Sequence, residues 1–425
     1  MQSNHSTPPQ SSISPDRSSP DGVSRDQLFR DRLIDELAGM VPEHGRDTFD
    51  KLIAHGLVSG EVLDLPRSLL AMAEKVVSGF FHLRRNPDYL LSLQAAREQR
   101  NVIDPGNNSI CMSYDFHVDW RPGQRPSLKL IEINTNASFF VLSYVLYRAN
   151  GVSLPVADFD LTEIQRNILT ELSLFQSTFR STFRSTAGPS LRVAIVDERP
   201  TEQRLYAEFL LYQSLFRSWG WSCEIQDIKE VSEDLDFIYN RCTDFYLSGA
   251  DSVKMRALFM NRRVCFSPQP FEYLCLADKT RLIELAQRRG WIKENLEESE
   301  ATAVLTSLMA SLELTSSNAG QIWSQKKKWF FKPVNAFGGR QSYRGASVTR
   351  RTFSDLIDKG TIAQEYCTAP ELEVPIAGRP NKFKYDLRFY AYQDRVQLAV
   401  ARLYQGQVTN MKTRGGGFTC VRFID

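Results

Sequence analysis

The sequence predicts an α+β protein of two or three packed subdomains, with a helical N-terminal region and a small inserted α/β subdomain. Its 425 residues exceed the roughly 250 to 300 at which one hydrophobic core stops growing. Apolar residues recur at helical spacing in the first part, and a β-α-β alternation begins near residue 191. From residue 271 onward, strands alternate with short helices.

Composition excludes several classes of function. Hydrophobic residues make up 42% of the chain and charged residues 24%, as in an ordinary soluble globular protein. The net charge of +2 is too small to make nucleic acid or an anionic membrane the main partner. No apolar run approaches the roughly 18 residues of a membrane span, and the amino terminus lacks the apolar core of a signal peptide. We therefore expect a cytoplasmic protein.

The seven cysteines and five histidines are scattered along the chain, and no C-x-x-C pair occurs. An odd number of dispersed cysteines indicates reduced thiols and argues against a disulfide framework or a zinc site. This pattern is typical of a cytosolic protein.

Four regions are expected along the chain. Residues 1–25 are rich in Ser and Pro and are expected to be disordered. Residues 26–190 form a helical region that also carries a β-hairpin. Residues 191–270 form the α/β subdomain, and residues 271–425 form the second α+β half.

Helices dominate the first region. From residue 26 to about residue 100 the pattern is helical, with Asp26 and Pro66 as start signals. Further on, Phe175, Phe179 and Phe183 recur every four residues of an amphipathic helix, which is typical of core packing.

Strands dominate the later regions. The segments LRVAIVDE, CEIQDI and LDFIYNR predict a small parallel sheet. The segments KKWFFKPV, TIAQEY, YDLRFYAY and VQLAVARLYQ predict further strands, and Asp394 and Arg395 are the expected turn between the last two.

A predicted hairpin brings three hard oxygen ligands together. Asp115 and Glu132 are equidistant from the turn RPGQRP, so antiparallel pairing places them opposite each other, and Asn134 shares a face with Glu132. Two carboxylates and an amide oxygen suit Mg²⁺ carried on the phosphates of a nucleotide. A surface hairpin with solvated acidic residues is the alternative for E-x-N alone, and the motifs that follow favour the metal site.

The segment FKPVNAFGGRQSYRG predicts a phosphate-binding loop. Lys332 ends a strand, and Gly338, Gly339 and Gly345 would let backbone N–H groups approach phosphate oxygens. Arg340 adds a charged donor. A plain glycine hairpin explains these glycines equally well when the segment is taken alone.

The segment IAQEYC has the form of a hinge strand beside an adenine ring. Gln364, Glu365 and Tyr366 would offer backbone groups to the adenine edge, and Glu371 or Glu373 would reach the ribose hydroxyls. Other buried strand ends look similar, so this assignment depends on the order of the motifs.

Four cationic side chains are candidates for contacting phosphate. Lys279 begins a helix in LADKTRL, where a plain helix charge is the alternative. Arg388 shares a strand face with Asp386 and suits a transferring phosphoryl group, with a surface ion pair as the alternative. Lys412 and Arg414 lie in TNMKTRGGGF, which predicts a flexible cationic loop that faces an anion.

Taken in order, these motifs resemble those of the ATP-grasp ligases. Because E-x-N precedes the other motifs, the chain resembles the circularly permuted members, above all the eukaryotic-type glutathione synthetases. The segments IEINTNASFF, DERPTEQR, IYNRCTDFYL, LADKTRL, AQEY and the final glycine loop carry the resemblance. It covers roughly residues 110–425 and implies a circularly permuted ATP-grasp fold with ATP and Mg²⁺ as cofactors.

The resemblance also implies a substrate site. Glu198, Gln203, Arg241 and Ser138 fall on family segments that contact the substrate. Arg241 and the basic final loop favour an acid with a second negative group, such as an amino acid or a γ-glutamyl peptide.

Two departures from the family pattern stand out. The family carries a glutamate as a metal ligand just before its glycine triplet, where this chain has Ala336 or Phe337. The family's substrate-binding arginine before the hairpin aspartate falls here near Ser113. These departures argue against glutathione assembly as the reaction, but not against ATP-grasp chemistry.

The resulting hypothesis is a ligase that joins carboxylates to amines through an acyl phosphate, acting on amino acids or small peptides. Catalytic roles fall to Lys332, Arg388 and Arg414. The alternatives are an inactive ATP-grasp scaffold that binds nucleotide or a partner protein, and a small-molecule kinase on the same fold. The oligomeric state is open, with a homodimer as one alternative.

Overall fold

The computed structural model describes residues 25–120, 123–178, 190–334, 341–376, 379–410 and 412–425. Within these ranges the chain is a mixed α+β protein with three β-sheets, which confirms the predicted class. Several predictions fall on residues outside the described ranges, namely those for residues 1–24, Phe179, Phe183, Ala336, Phe337, Gly338, Gly339 and Arg340.

The helices lie mostly in the first two thirds of the chain. Between α10 and α11, residues Tyr273–Ala277 form one wide π-helical turn. The helices are α1 Arg25–Met40, α2 Arg46–Leu52, α3 Arg67–Arg85, α4 Pro87–Ser92, α5 Gln94–Arg100, α6 Phe140–Asn150, α7 Thr162–Thr178, α8 Tyr206–Ser218, α9 Val253–Met260, α10 Pro270–Glu272, α11 Thr280–Gln287, α12 Arg289–Asn295, α13 Glu298–Ser307, α14 Ala319–Ser324 and α15 Arg350–Leu356.

The strands form a large sheet, a parallel sheet and a small antiparallel sheet. They are β1 Val58–Pro66, β2 Met112–Asp119, β3 Ser127–Asn134, β4 Arg192–Asp197, β5 Ser222–Asp227, β6 Phe237–Asn240, β7 Cys265–Ser267, β8 Ser311–Glu313, β9 Trp329–Pro333, β10 Tyr343–Arg344, β11 Thr361–Glu365, β12 Glu371–Ile376, β13 Arg379–Tyr392, β14 Arg395–Tyr404 and β15 Gly417–Ile424.

The large sheet runs in the order β1-β15-β14-β13-β2-β3, and β12 pairs with the free end of β13. It therefore takes strands from both ends of the chain, so that regions 26–190 and 271–425 share a sheet. The domain boundaries at 190 and 270 stay predictions. The parallel sheet runs β5-β4-β6-β7 and confirms the β-α-β pattern, and the small sheet runs β10-β9-β11-β8.

One strand contradicts the expected helical run from residue 26 to residue 100. β1 lies between α2 and α3 and pairs in parallel with β15. Buried Leu63 and Leu65 alternate with the half-buried Val62, Asp64 and Pro66, which is the strand period of two. The strand is flanked on both sides by strong helical patterns, which explains why the sequence predicts helix across it.

The two faces of the large sheet pack against two different hydrophobic cores. On one face, Tyr114, Phe116 and Phe389 join the hydrophobic core that includes α3. On the other face, Tyr390 and Phe418 join the core that includes α6. The rest of that second face, toward β2 and β3, is polar and carries the candidate site.

Two further features bear on the sequence predictions. The turn between β13 and β14 is Gln393 and Asp394, one residue earlier than predicted, because Arg395 already pairs with Tyr392. All seven cysteines are free thiols, and all but Cys367 are buried. Among the described residues, no helix is both long and apolar enough to cross a membrane.

Candidate active site

The hairpin that carries the predicted ligands forms as expected. β2 and β3 pair so that Asp115 lies opposite Glu132, and the register shifts by one residue after Asp115. The shift leaves Ile131 as a bulge on β3. Lys332 of the small sheet donates from Nζ to the carbonyl oxygen of Ile131 at 2.9 Å. The bulge therefore joins the large sheet to the small one at the site.

Asp115 is enclosed by arginines. Arg388 donates from Nε to Oδ1 at 2.8 Å and from Nη2 to Oδ2 at 2.7 Å. Arg402 Nη2 lies 3.0 Å from Oδ2 and also donates from Nε to Asp386 at 2.6 Å. Both carboxylates are fully buried, and the side chains of Arg388 and Arg402 are 8% and 11% exposed. The four groups form a buried network of zero net charge.

The network keeps Asp115 ionised. Burial alone would raise the pKa of Asp115, but the adjacent guanidinium groups of Arg388 and Arg402 hold that pKa below its usual value. This geometry does not favour the predicted metal role of Asp115, because both carboxylate oxygens accept from guanidinium groups. It equally does not favour Arg388 as a phosphoryl-binding residue, because its guanidinium is directed at Asp115.

Asn134 is oriented by the same network. Its Nδ2 lies 3.3 Å from Oδ2 of Asp115 and 3.4 Å from Oγ of Ser113, so the amide donates toward the buried side. Asn134 also lines the cleft beside Glu132. The carboxamide oxygen is therefore the end of this side chain that is left for a cleft ligand.

A small cleft lies at the end of β3. Glu132 and Asn134 at the strand end line it together with the rings of Phe245 and Tyr273. Lys279, at the start of α11, completes the lining. The structure thus brings together two of the three predicted metal ligands and one predicted phosphate ligand.

Lys332 lies next to this cleft. It is buried, and burial lowers the pKa of Lys332 to about 8. The carboxylate of Glu132 opposes that shift, and the charge of Lys279 adds to it. Lys332 can therefore gain or lose its charge near neutral pH.

The loop 135–139 after β3 contains the predicted substrate residue Ser138, and the predicted substrate residue Arg241 contacts its backbone. Arg241 is buried and donates from Nη1 to the carbonyl oxygens of Asn136 and Ala137, at 3.0 and 3.2 Å. Tyr390 donates from its hydroxyl to the carbonyl oxygen of Ser138 at 2.9 Å. The structure places Arg241 beneath this loop, where it supports the loop backbone.

The predicted residues Glu198 and Gln203 lie at the end of β4. Gln203 donates from Nε2 to the backbone carbonyl of Glu198 at 2.6 Å, and the Glu198 side chain is exposed. Neither residue is among those that line the cleft at the end of β3. Their substrate role stays a prediction.

The predicted adenine hinge is the end of β11. The N–H of Glu365 donates to Ala310 and the N–H of Tyr366 donates to Lys328, each at 2.7 Å, while Gln364 pairs within the sheet. Two of the backbone donors predicted for adenine are thus already bonded within the protein. The Glu373 side chain on β12 is exposed.

In the two glycine-containing segments that were predicted to contact anions, the structure gives a packing reason for a glycine. The N–H of Gly345 donates to Trp329, and a Cβ at Gly345 would lie 1.8 Å from the carbonyl oxygen of Lys326. Gly417 has a φ of +112°, and a Cβ there would lie 2.4 Å from the backbone of Leu57. Both glycines permit close backbone contact.

Lys412 and Arg414 have exposed side chains just before β15.

Sequence reasoning missed Arg402, Phe245 and Tyr273. The available signal for Arg402 was its strand, VQLAVARLYQ, in which one arginine interrupts an apolar run. A polar residue in a buried strand indicates a buried partner. The two aromatic residues carried no comparable signal, because their positions on the cleft wall depend on loops from separate regions.

The fold of this chain is similar to that of a glutathione synthetase-like protein. The solved apo structure of a glutathione synthetase-like effector from Globodera pallida has a TM-score of 0.56 with this chain at 11% identity, covering 96% of this chain and 100% of that one. A putative γ-glutamylcysteine synthetase from Methylobacillus flagellatus KT has a TM-score of only 0.41 at 10% identity, covering 81% and 86%. Sequence comparison finds no matching family model and no matching curated protein. At these identities the likeness concerns the fold alone.

Proposed function

We propose that this chain is an ATP- and Mg²⁺-dependent ligase that joins a carboxylate to an amine through an acyl phosphate, on a circularly permuted ATP-grasp fold. The observation that carries the proposal is the cleft at the end of β3. There Glu132 and Asn134 present a carboxylate and an amide oxygen beside the ammonium of Lys279. The glutathione synthetase-like fold supports the same class of reaction.

The cleft residues fit a magnesium ion that arrives with nucleotide. Mg²⁺ usually takes one or two carboxylates, several waters and the phosphates of its substrate. Glu132 and Asn134 would hold it here, whereas Asp115 would stay paired with Arg388. When bound, the ion would neutralise phosphate charge and orient the γ-phosphate.

The proposed reaction has two steps. A carboxylate oxygen of the acid attacks the γ-phosphorus of ATP, and ADP leaves. The amine nitrogen then attacks the acyl carbon, loses a proton, and phosphate leaves. Lys279 and Lys332 would bind the phosphates, and each ammonium–phosphate contact at ~4 Å has a Coulomb energy of about 4 kcal/mol at a dielectric of about 20, before desolvation.

The remaining predicted contacts belong to the same proposal. Adenine would lie at Gln364 to Tyr366 and would be bound through groups other than the N–H of Glu365 and of Tyr366, since both already donate within the protein. Arg414 and Lys412 would approach the phosphates when the segment before β15 closes over the cleft and excludes water.

A second candidate is a scaffold that binds nucleotide without turning it over. The mutual pairing of Asp115 and Arg388 favours it, because a carboxylate and a guanidinium predicted to act on Mg²⁺ and phosphate instead bind each other. The family glutamate replaced by Ala336 or Phe337 points the same way.

The test uses hydroxylamine, which traps acyl phosphates as hydroxamates and so replaces the unknown amine. Purified protein is incubated with Mg-ATP, hydroxylamine and single acids, and both ADP and hydroxamate are measured. We expect acid-dependent formation of both in equal amounts. Glu132→Gln should abolish it, whereas Glu224→Gln, an exposed glutamate on β5, should leave it unchanged.

The other outcomes are distinct. ADP with a stable phosphoester in place of hydroxamate would identify a kinase. Nucleotide binding without any ADP, across the whole set of acids, would identify the scaffold and reject the ligase.

A further inference from the structure

Two aromatic rings line the cleft together with Glu132. The rings of Phe245 and Tyr273 stack with centroids 4.3 Å apart and planes inclined by 11°. Tyr246 packs edge-on against Tyr273 at 5.1 Å, and its hydroxyl donates to Asp278 at 2.6 Å. These contacts hold the aromatic pair in place. Phe245 is half-buried and lines the cleft, so part of its ring is open to a ligand.

The cations near the cleft are largely committed to the protein. Arg241 donates to the loop 135–139, and Arg388 binds Asp115 with two hydrogen bonds. Among the described residues that line the cleft, Lys279 is the single cation, and Glu132 contributes a negative charge. No guanidinium of the described chain lines the cleft to receive a second carboxylate of a ligand.

We propose that the acid bound in this cleft has one carboxylate and an uncharged apolar side chain, with an aromatic ring preferred, which packs against Phe245 and Tyr273. The inference rests on the proposed function and names the substrate class of that site. This class of acid differs from the acid with a second negative group that the sequence favoured because of Arg241.

Two physical effects select this class of acid. An aromatic ring gains dispersion and offset stacking on an existing ring pair and removes apolar surface from water. A second carboxylate beside Phe245 would lose hydration, and no guanidinium among the described residues that line the cleft would pair with it.

The experiment measures kcat/KM for hydroxamate formation with phenylalanine, leucine, alanine, glutamate and γ-glutamylcysteine. We expect phenylalanine to exceed both alanine and glutamate by about tenfold or more. Phe245→Ala should lower kcat/KM for phenylalanine by about tenfold and change that for alanine by less than about twofold. Tyr144→Ala is the matched control, since Tyr144 is a half-buried tyrosine paired edge-on with Phe159 outside the cleft.

The readouts separate this inference from the proposed function. A preference for glutamate or γ-glutamylcysteine would overturn the substrate class and leave the ligase intact. If no acid yields hydroxamate, the ligase fails and equilibrium dialysis of labelled phenylalanine and glutamate decides the inference. Saturable phenylalanine binding that Phe245→Ala weakens and Phe245→Leu partly restores would support it. Equal or absent binding of the two amino acids would reject it.

Discussion

Arg388 holds Asp115 by both carboxylate oxygens across the seam between β13 and β2. The two residues lie directly opposite each other in the register of these strands. Both charges are buried away from water, and each is stabilised in the interior by the opposite charge of the other. The pair therefore supports the fold at the point where the candidate site begins.

Replacing Asp115 with asparagine should destabilise the protein by about 3 to 5 kcal/mol, because two buried guanidinium groups would share one remaining carboxylate, that of Asp386. Urea unfolding followed by far-UV circular dichroism measures the change. The matched control is Asp64→Asn, which removes a two-bond pair with Arg422 at 2.8 Å and 2.8 Å on the surface. That change should cost about 1 kcal/mol or less. Similar losses in both variants would contradict the buried-pair interpretation.

Affinity for ATP should fall as pH rises. Burial lowers the pKa of Lys332 to about 8, so below that pH the side chain is an ammonium and above it a neutral amine. If the ammonium binds phosphate, the dissociation constant should rise about tenfold between pH 7 and pH 9. Calorimetric titration with Mg-ATP measures the constant at each pH.

Two variants test this assignment. Lys332→Met should bind ATP weakly at every pH and lose the steep rise. Lys328→Met removes an exposed lysine on the neighbouring turn and should retain it. A wild-type affinity that does not change with pH would contradict a phosphate role for Lys332.

Stability should also depend on a buried carboxyl far from the cleft. Burial raises the pKa of Glu171 from 4.5 to about 7, against hydrogen bonds from Tyr392 and Asn107 at 2.7 and 2.9 Å. A raised pKa in the folded state means that stability from this group is present below pH 4.5 and is lost as pH rises toward 7. The wild type should lose on the order of 3 kcal/mol relative to Glu171→Gln between pH 4.5 and pH 8.

Urea midpoints at several pH values measure this difference. Glu163→Gln, a half-exposed glutamate on the same helix, should follow the wild-type curve. Parallel curves for the wild type and Glu171→Gln would show that Glu171 does not titrate in this range.

Alanine at position 417 should be severely destabilising. Gly417 combines a φ of +112° with backbone atoms of Leu57 only 2.4 Å from any Cβ. We expect a loss of more than about 3 kcal/mol, measured by thermal unfolding. Gly406→Ala is the matched control, because Gly406 has a φ of +101° with nothing within 4 Å, and its loss should be about 1 kcal/mol. Equal losses of stability in the two variants would mean that the positive φ, and not the close contact with Leu57, causes the destabilisation.

The sequence predicted the elements that are set by local pattern. The antiparallel hairpin with Asp115 opposite Glu132 is confirmed, but the turn alone does not determine that pair. The pairing nearest the turn, Asp119 with Ser127, would place Asp115 opposite Ile131, and the bulge at Ile131 produces the predicted pair. The parallel sheet follows from the β-α-β order and is confirmed as well. The helical run after residue 26 is confirmed except where β1 interrupts it.

The partner of Asp386 could not be predicted, because of a bulge. Counting back from the turn at 393–394 pairs Asp386 with Ala401, which would place Arg402 on the opposite face. The register shift after Ala391 moves Arg402 opposite Asp386 instead. A one-residue irregularity within a strand has no reliable sequence signal, and this one determines the composition of the buried network.

The ligand roles depended on information that the sequence does not contain. Arg241 and Arg388 were assigned to ligands because of their type and position. Their nearest acceptors in the structure are carbonyl oxygens of the loop 135–139 and the carboxylate of Asp115. Whether an arginine faces a ligand or another part of the protein depends on distant segments that meet only on folding.

The parallel pairing of β1 with β15 sets an order for folding during synthesis. Residues 58–66 leave the ribosome more than 350 residues before their partners at 417–424. Until then, α3 can pack against β2 and β3, but the far edge of the large sheet has no neighbour to complete it. Closing so long a loop is slow compared with forming local hairpins. The nascent chain therefore carries an unpaired strand for most of its synthesis, and a chaperone that binds extended segments would find its target there.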